Sequence, residues 1–249
     1  MDKKSHCTSL IPLENAVYLY YIMRRKRAST NHHQGHQTNI INVHAVVLGL
    51  DGVGKSALTV RFLTRRFIWE YDKNLEMTYR HHMTLDGQYV ALDIMDTAGE
   101  NTEEKLVKLA SFGELFFILY SITDRVSFME ARRLGRYFKK VKNNNSTLIL
   151  VATKTDQERH RKIRENEGLG LAKELGSVFC EISISEGFTE TNSLFFDSLR
   201  LCLNKRGVDL DNKVEQENGD KDKSGPLSRM KEGFKGMYTR RKSCTVLAV

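Results

Sequence analysis

The sequence predicts an α/β fold, a mostly parallel sheet with helices on both faces. Three observations carry that prediction. Short apolar runs rich in β-branched residues alternate with helix-spaced segments from Asn42 to Leu203. Between the first such run and the first helix lies Gly49-Leu50-Asp51-Gly52-Val53-Gly54-Lys55-Ser56, which fits G-x-x-x-x-G-K-[ST], the pattern of a phosphate-binding loop. Asp86-Gly87 then joins two neighbouring runs as a hairpin, so one strand of the sheet is antiparallel.

The elements follow in order. Val43–Leu48 is a buried strand, and Ala57–Leu63 has apolar residues at helical spacing. Phe67 to Met77 is a polar and aromatic connection. Strands are predicted at Thr78–Leu85 and Gln88–Met95, the second closed by Asp96-Thr97-Ala98-Gly99-Glu100. Glu103–Phe112 has helical spacing. Leu115–Tyr120 is a buried strand, and a helix over Arg125–Lys142 ends at Asn143-Asn144-Asn145. Leu148–Val151 is another buried strand. A helix near Glu165–Leu175, a strand at Val178–Ile182 and a helix at Thr189–Leu203 complete the pattern. Ligands of such sheets bind beyond the carboxyl ends of the strands, where the glycine loop sits.

The chain has 249 residues and a formal charge of +8, and the location of that charge matters more than its size. Residues 1–41 hold six Lys/Arg and two Asp/Glu, and residues 205–249 hold eleven and seven, so each tail carries +4. The remainder, residues 42–204, sums to zero (8 − 4 − 4). The chain therefore divides into a basic, disordered extension (1–41), a neutral globular domain (42–204) and a basic, flexible tail (205–249). A nucleic-acid-binding fold would carry its excess on the domain, so no nucleic acid partner is expected. Basic tails suit anionic membrane surfaces or plain solubility. Arg24-Arg25-Lys26-Arg27 reads as a nuclear address or, more commonly, a solvated charge run. His32, His33 and His36 lie in a polar stretch with disordered composition. The four cysteines, at 7, 180, 202 and 244, show no metal-ligand spacing and read as free thiols of a reducing compartment.

The loop's chemistry is specific. Its glycines let the backbone N–H groups of Asp51, Gly52, Val53, Gly54, Lys55, Ser56 and Ala57 curl round phosphates, and the following helix N-terminus favours negative charge. Lys55 is expected to reach the β- and γ-phosphates, and the Ser56 hydroxyl to ligate Mg²⁺. Asp96 follows an apolar strand, where a carboxylate holds Mg²⁺ through water and the Gly99 N–H meets the γ-phosphate. Thr153-Lys154-Thr155-Asp156 follows another strand, and the Asp156 carboxylate can accept the ring N1–H and the amino N–H of guanine, a pair adenine does not offer. Ser183-Ile184-Ser185 follows the last strand, with backbone N–H groups for the guanine carbonyl.

These five motif regions, in this order over residues 42–204, resemble the Ras-type small GTPases. Lys55 to Thr64 and Arg66 to Asp72 are most similar to the group of the Ras-related oestrogen-regulated growth inhibitor. The resemblance implies a P-loop NTPase fold with a six-stranded sheet (a Ras-like G domain), GTP and GDP binding with Mg²⁺ as cofactor, and slow hydrolysis of GTP as a signalling switch. It implies that Phe67 covers the guanine ring, that Lys154 lies against the base, and that effector and regulatory proteins bind. A monomer is expected.

Several positions depart from the pattern. Thr153 stands where Asn is usual, a replacement shared by the Rho branch. Asn74 replaces the Thr that ligates Mg²⁺ and contacts the γ-phosphate. Asp51 replaces a glycine of Ras, and Glu100 replaces the Gln that orients the attacking water. Lys55, Gly99 and Glu100 are therefore the candidate catalytic residues, and Ser56, Asn74 and Asp96 the metal ligands. Cys244-Thr245-Val246-Leu247 reads as a prenylation box displaced by Ala248 and Val249, so it fails as one. Met230, Phe234 and Met237 share one helical face flanked by basic residues, and Cys244 is open to palmitoylation. These features suggest cytoplasmic protein with weak contact to the inner face of the plasma membrane. Two rivals follow: a guanine-nucleotide-binding module with little hydrolysis, and a nucleoside or adenylate kinase, which needs no base-reading Thr-Lys-x-Asp.

Overall fold

The computed structural model describes residues 40–65, 77–142, 145–208, 210 and 244–245. The chain divides into two units, Met1–Thr38 and Asn39–Val249, and the first lies outside the described residues. So do Phe67, Asn74, the histidines of the extension and the apolar face at 230–237.

The second unit is built from β1 (Ile41–Gly49), α1 (Lys55–Thr64), β2 (Met77–Leu85), β3 (Gln88–Asp96), α2 (Glu103–Phe112), β4 (Leu115–Ser121), α3 (Arg125–Lys142), β5 (Thr147–Thr153), α4 (Glu165–Leu175), β6 (Val178–Glu181) and α5 (Phe188–Lys205). The sheet order is β2-β3-β1-β4-β5-β6-β7. Only β2 and the two-residue β7 (Cys244–Thr245) run antiparallel to their neighbours. The six expected strands are present, and β7 is an addition that the sequence does not announce.

β4 and β5 are buried at every position, because helices cover both faces of the central sheet. Side chains alternate across it. Val47, Phe117, Leu119 and Val151 face a core closed by Leu58, Phe195 and Leu199 of α1 and α5. Leu48, Phe116, Ile118 and Leu150 face a second core closed by α2, α3 and α4, through Leu109, Leu134 and Leu171. The edge strand β2 lacks such cover and alternates exposed and half-buried residues. It is held by the full register of the hairpin, from Met77 opposite Asp96 to Leu85 opposite Gln88.

One expectation is corrected here. Of the cysteines read as free thiols, Cys202 is free and buried, but Cys180 is disulfide-bonded. The antiparallel register places Cys244 opposite Cys180, a proximity made by the sheet across 64 residues of chain and hidden in the spacing. Among the described residues no helix is long and apolar enough to cross a membrane.

Candidate nucleotide-binding site

All parallel strands deliver their carboxyl ends to one pole, and the predicted site residues gather there. β1 ends at Gly49, whose φ of +145° and whose contact distances demand glycine: a Cβ there would lie 2.5 Å from Leu119 O. The loop turns through Gly52 and Gly54, at φ of +78° and +102°, and α1 starts at Lys55 with Gly54 as its cap. A Cβ on Gly54 would meet Ile184 Cδ1 at 3.0 Å, so the phosphate loop lies directly against the loop after β6. Val53 and Ala57 are buried and anchor it to the core.

Lys55 is only 7% exposed. Its ammonium donates to Gly49 O and Leu50 O at 3.1 Å each and to Asp51 Oδ1 at 3.2 Å. Three donors and three acceptors leave the lysine saturated. Asp51, whose side chain is half-exposed, is thus the carboxylate paired with the loop's own cation. Lys105, on the helix after the Gly99 turn, donates from Nζ to Ala98 O.

The register lays Asp96 beside Val47, two residues before the loop begins. Asp96 is buried, and its charge, with burial as the larger cause, pushes the Tyr79 phenol up to about 12. Thr97 locks the junction by donating from Oγ1 to Val47 O at 2.8 Å. Ser56 sits half-buried on the first turn of α1. A hydroxyl on the first turn of α1 and a carboxylate at the end of β3 are hard oxygen donors, the kind that suits Mg²⁺. Gly99 has φ of +64° with open space around its Cα, and Glu100 is exposed. The next residue is tied down: Asn101 Nδ2 donates to Glu130 Oε1 at 2.9 Å, and Arg133 donates to Asn101 O at 3.0 Å. Nothing in the sequence pattern marks that clamp.

The base-reading loops meet at β5 and β6. Asp156 Oδ1 accepts from Ser183 Oγ at 2.7 Å, and Ser183 Oγ lies 3.0 Å from Ser185 Oγ. Ile184 is buried against the phosphate loop. Lys154 adopts the left-handed conformation, φ +63°, which turns the chain at the end of β5. Thr153 is fully buried, and its hydroxyl lies 2.7 Å from Val53 O and 3.0 Å from Tyr120 O. One proton serves two carbonyls, so a single side chain braces the phosphate loop to β4 from β5. The phosphate loop, the ends of β1, β3 and β5 and the loop after β6 lie at this pole; Phe67 and Asn74 lie outside the described residues.

A model of the Ras family matches residues 44–204. The chain belongs to the Ras family. It is a small GTPase, a GTP-binding signalling protein. The Ras-family domain is 42% identical over 167 residues to the Ras-related and estrogen-regulated growth inhibitor of Homo sapiens, covering 67% of this chain and 84% of that protein. It is 36% identical over 169 residues to Ras-like protein family member 12 of Homo sapiens (67% and 64% covered). With the Ras-like protein rasS of Dictyostelium discoideum it shares 37% identity over 183 residues (73% and 94% covered). Ras-family proteins hydrolyse GTP and interact with regulators and effectors, and they bind GTP or GDP with Mg²⁺.

Proposed function

We propose that this chain is a slow GTPase switch whose rate is set by two carboxylates of its own, Asp51 and Glu100. The observation that carries the reading is the 3.2 Å contact between Asp51 Oδ1 and Lys55 Nζ. Phosphoryl transfer spreads negative charge over the γ-phosphoryl oxygens, and the protein contributes by placing cations and N–H donors on that charge. Lys55 and the loop N–H groups do this, with the Gly99 N–H on the γ-phosphate. Asp51 offsets part of the Lys55 charge and occupies the approach of an activating protein's arginine, a contribution worth about 10³–10⁵ in rate where it operates. Glu100 accepts a hydrogen bond from the attacking water but lacks the amide donor of Gln. Ser56 and Asp96, with Asn74 by its place in the sequence, would hold Mg²⁺, which would supply charge neutralisation at the phosphates. Asp156, oriented by Ser183, accepts the guanine N–H groups; the Ser183 and Ile184 N–H groups meet the guanine carbonyl; Phe67 and Lys154 flank the base.

Single-turnover hydrolysis of preloaded GTP tests the reading. Asp51→Gly and Glu100→Gln each raise the rate, and the pair raises it most. A wild-type rate equal to that of ordinary Ras proteins, unchanged in the double variant, rejects it. A negligible rate in all four proteins favours the second reading, a guanine-nucleotide-binding module governed by abundance or partners, which the exposed carboxylate at 100 supports. We further place the protein as a monomer in the cytoplasm, with its basic tail making weak, salt-dependent contact with the anionic inner leaflet of the plasma membrane.

A further inference from the structure

The turn that carries Gly99 and Glu100 is open: a Cβ on Gly99 would meet nothing within 4 Å, and Glu100 is exposed. The residues on either side of it are held. Lys105 Nζ donates to Ala98 O. Thr102 caps α2, its Oγ1 accepting from Lys105 N at 3.4 Å. Asn101 is held from α3. Its Nδ2 donates to Glu130 Oε1 at 2.9 Å. Arg133, one turn along α3, grips the same carboxylate with two bonds of 2.8 Å, Nε to Oε2 and Nη2 to Oε1. The same Nη2 donates to Asn101 O at 3.0 Å. Asn101, Glu130 and Arg133 thus close a ring that engages both the side chain and the backbone of Asn101. The orientation of the amide is fixed, because turning it over would set Oδ1 against the Glu130 carboxylate. It holds that orientation although Oδ1 is buried with no partner among the described residues, a state that costs free energy. The Glu130 carboxyl lies below its ordinary range, through the Arg133 hydrogen bond first and, against the effect of burial, that of Asn101.

We propose that Glu130 and Arg133 are positioning residues for GTP hydrolysis, acting through Asn101 on the Gly99–Glu100 turn. The inference deepens the hydrolysis reading above and rests on it. α3 is a firm base for such a role. Asp124 caps its start, the carboxylate accepting from Val126 N and Ser127 N at 3.0 and 3.2 Å. Ser127 is fully buried, and its Oγ accepts from Ser121 N at 3.0 Å. Ala131, Leu134 and Phe138 fill the second core. The far end of α2 is fixed to the same helix, Lys142 Nζ donating to Ala110 O at 2.9 Å. α2 is therefore tied to α3 at both ends, and the ring is the tie at the end that meets the nucleotide. Only Gly99 and Glu100 lie between Ala98 and Asn101, so the held residues leave their backbone little room to swing. Hydrolysis depends on close placement of the Gly99 N–H and of the group that meets the attacking water. An amide suits position 101: a carboxylate would be repelled by Glu130, and an aliphatic side chain would donate nothing. An exposed ion pair such as Glu130 with Arg133 adds little to global stability. Its effect is local order at Asn101.

Single-turnover hydrolysis of preloaded GTP by the full-length protein tests the ring in two backgrounds, wild type and Glu100→Gln. Glu130→Ala and Arg133→Ala each lower the rate in both backgrounds, and together they lower it by roughly tenfold to a hundredfold. Glu130→Gln, which keeps an oxygen for Asn101, loses less than Glu130→Ala. GTP release and the melting temperature stay at wild-type values. Hydrogen exchange of the backbone amides at 99–102 quickens severalfold in the GDP-loaded ring variants. Arg132→Ala, which removes the neighbouring cation paired with Glu174, changes none of these. Unchanged or higher rates for the double ring variant in the Glu100→Gln background overturn the proposal, as does unchanged hydrogen exchange. A rate that falls only in step with faster GTP release or a lower melting temperature also overturns it, assigning the ring to the fold alone. If Glu100→Gln fails to raise the rate while the ring variants still lower it, the braking role of Glu100 is lost and the positioning role stands. Hydrolysis absent from every one of these proteins, Glu100→Gln included, overturns both.

Discussion

Thr153 illustrates how much one hydroxyl decides at this site. It is buried between β5, β4 and the phosphate loop, and it satisfies Val53 O and Tyr120 O in alternation. A buried carbonyl that loses its donor costs about 1–3 kcal/mol. Thr153→Val keeps the shape and removes the proton. The expected result is a lower melting temperature by that amount and faster release of a fluorescent GDP analogue; equal release rates would show that the brace is dispensable. Asp156 acts through its ligand instead. Asp156→Asn exchanges a carboxylate acceptor for an amide donor, so affinity for GTP falls and recognition turns towards xanthine nucleotides. Competition binding reads both, and unchanged GTP affinity would refute the placement of the base.

Between elements, the bond that holds the exposed edge strand is electrostatic. Arg80 of β2 lies opposite Asp93 of β3 in register and binds it through two hydrogen bonds of 2.7 Å. The Asp93 side chain is nearly buried, and His44 Nε2 stands 3.8 Å away. The Arg80 hydrogen bond, ahead of the nearby positive charges, holds the Asp93 carboxyl below its ordinary range. A depressed carboxyl pKa stabilises the fold above the unfolded value, about 3.9, and that stabilisation is lost as pH falls through the folded value. Arg80 is largely exposed, so solvent screens the pair and its contribution to stability is small. Arg80→Ala should therefore unfold at lower denaturant at pH 7, with the gap from wild type closing below about pH 4. A gap constant across that range would assign the effect to packing. At the junction of β1 and β4, Gly49→Ala would drive a Cβ to 2.5 Å from Leu119 O at an unfavourable φ. Thermal unfolding should show a loss of roughly 1–3 kcal/mol, with weakened GDP binding.

On the scale of the molecule, the nucleotide loops lie at one pole and the basic end of α3 at the other. Arg206 ties the end of α5 back to the sheet: it pairs with Glu114 and donates to Asn42 O at 2.8 Å. A chain of residues 40–208 keeps these ties and should bind GDP as tightly as the full chain, with loss of vesicle binding. Isothermal titration of the two proteins checks it, and weaker binding by the shorter chain would make the tails part of the nucleotide site.

The sequence by itself determined the elements and the chemistry of the site. Apolar period and glycine placement are local properties, so the helices Glu103–Phe112, Arg125–Lys142 and Glu165–Leu175 were legible to the residue. The glycine loop, Asp96, Asp156 and Ser183 were legible because each stands at a strand end in a fixed motif. The short 3₁₀ turn Thr155–His160 left no apolar period to read. Only the tertiary structure decided the pairings between segments far apart in the chain. The saturation of Lys55 by Asp51, the Thr153 brace, the Asn101 clamp on α3 and the gathering of Arg132, Arg136 and Lys139 round Glu174 depend on which strand lies beside which and how closely two helices pack. Composition summed the domain's charge to zero; geometry set the basic end of α3 against Glu174 of α4, because the two helices run side by side in the same direction.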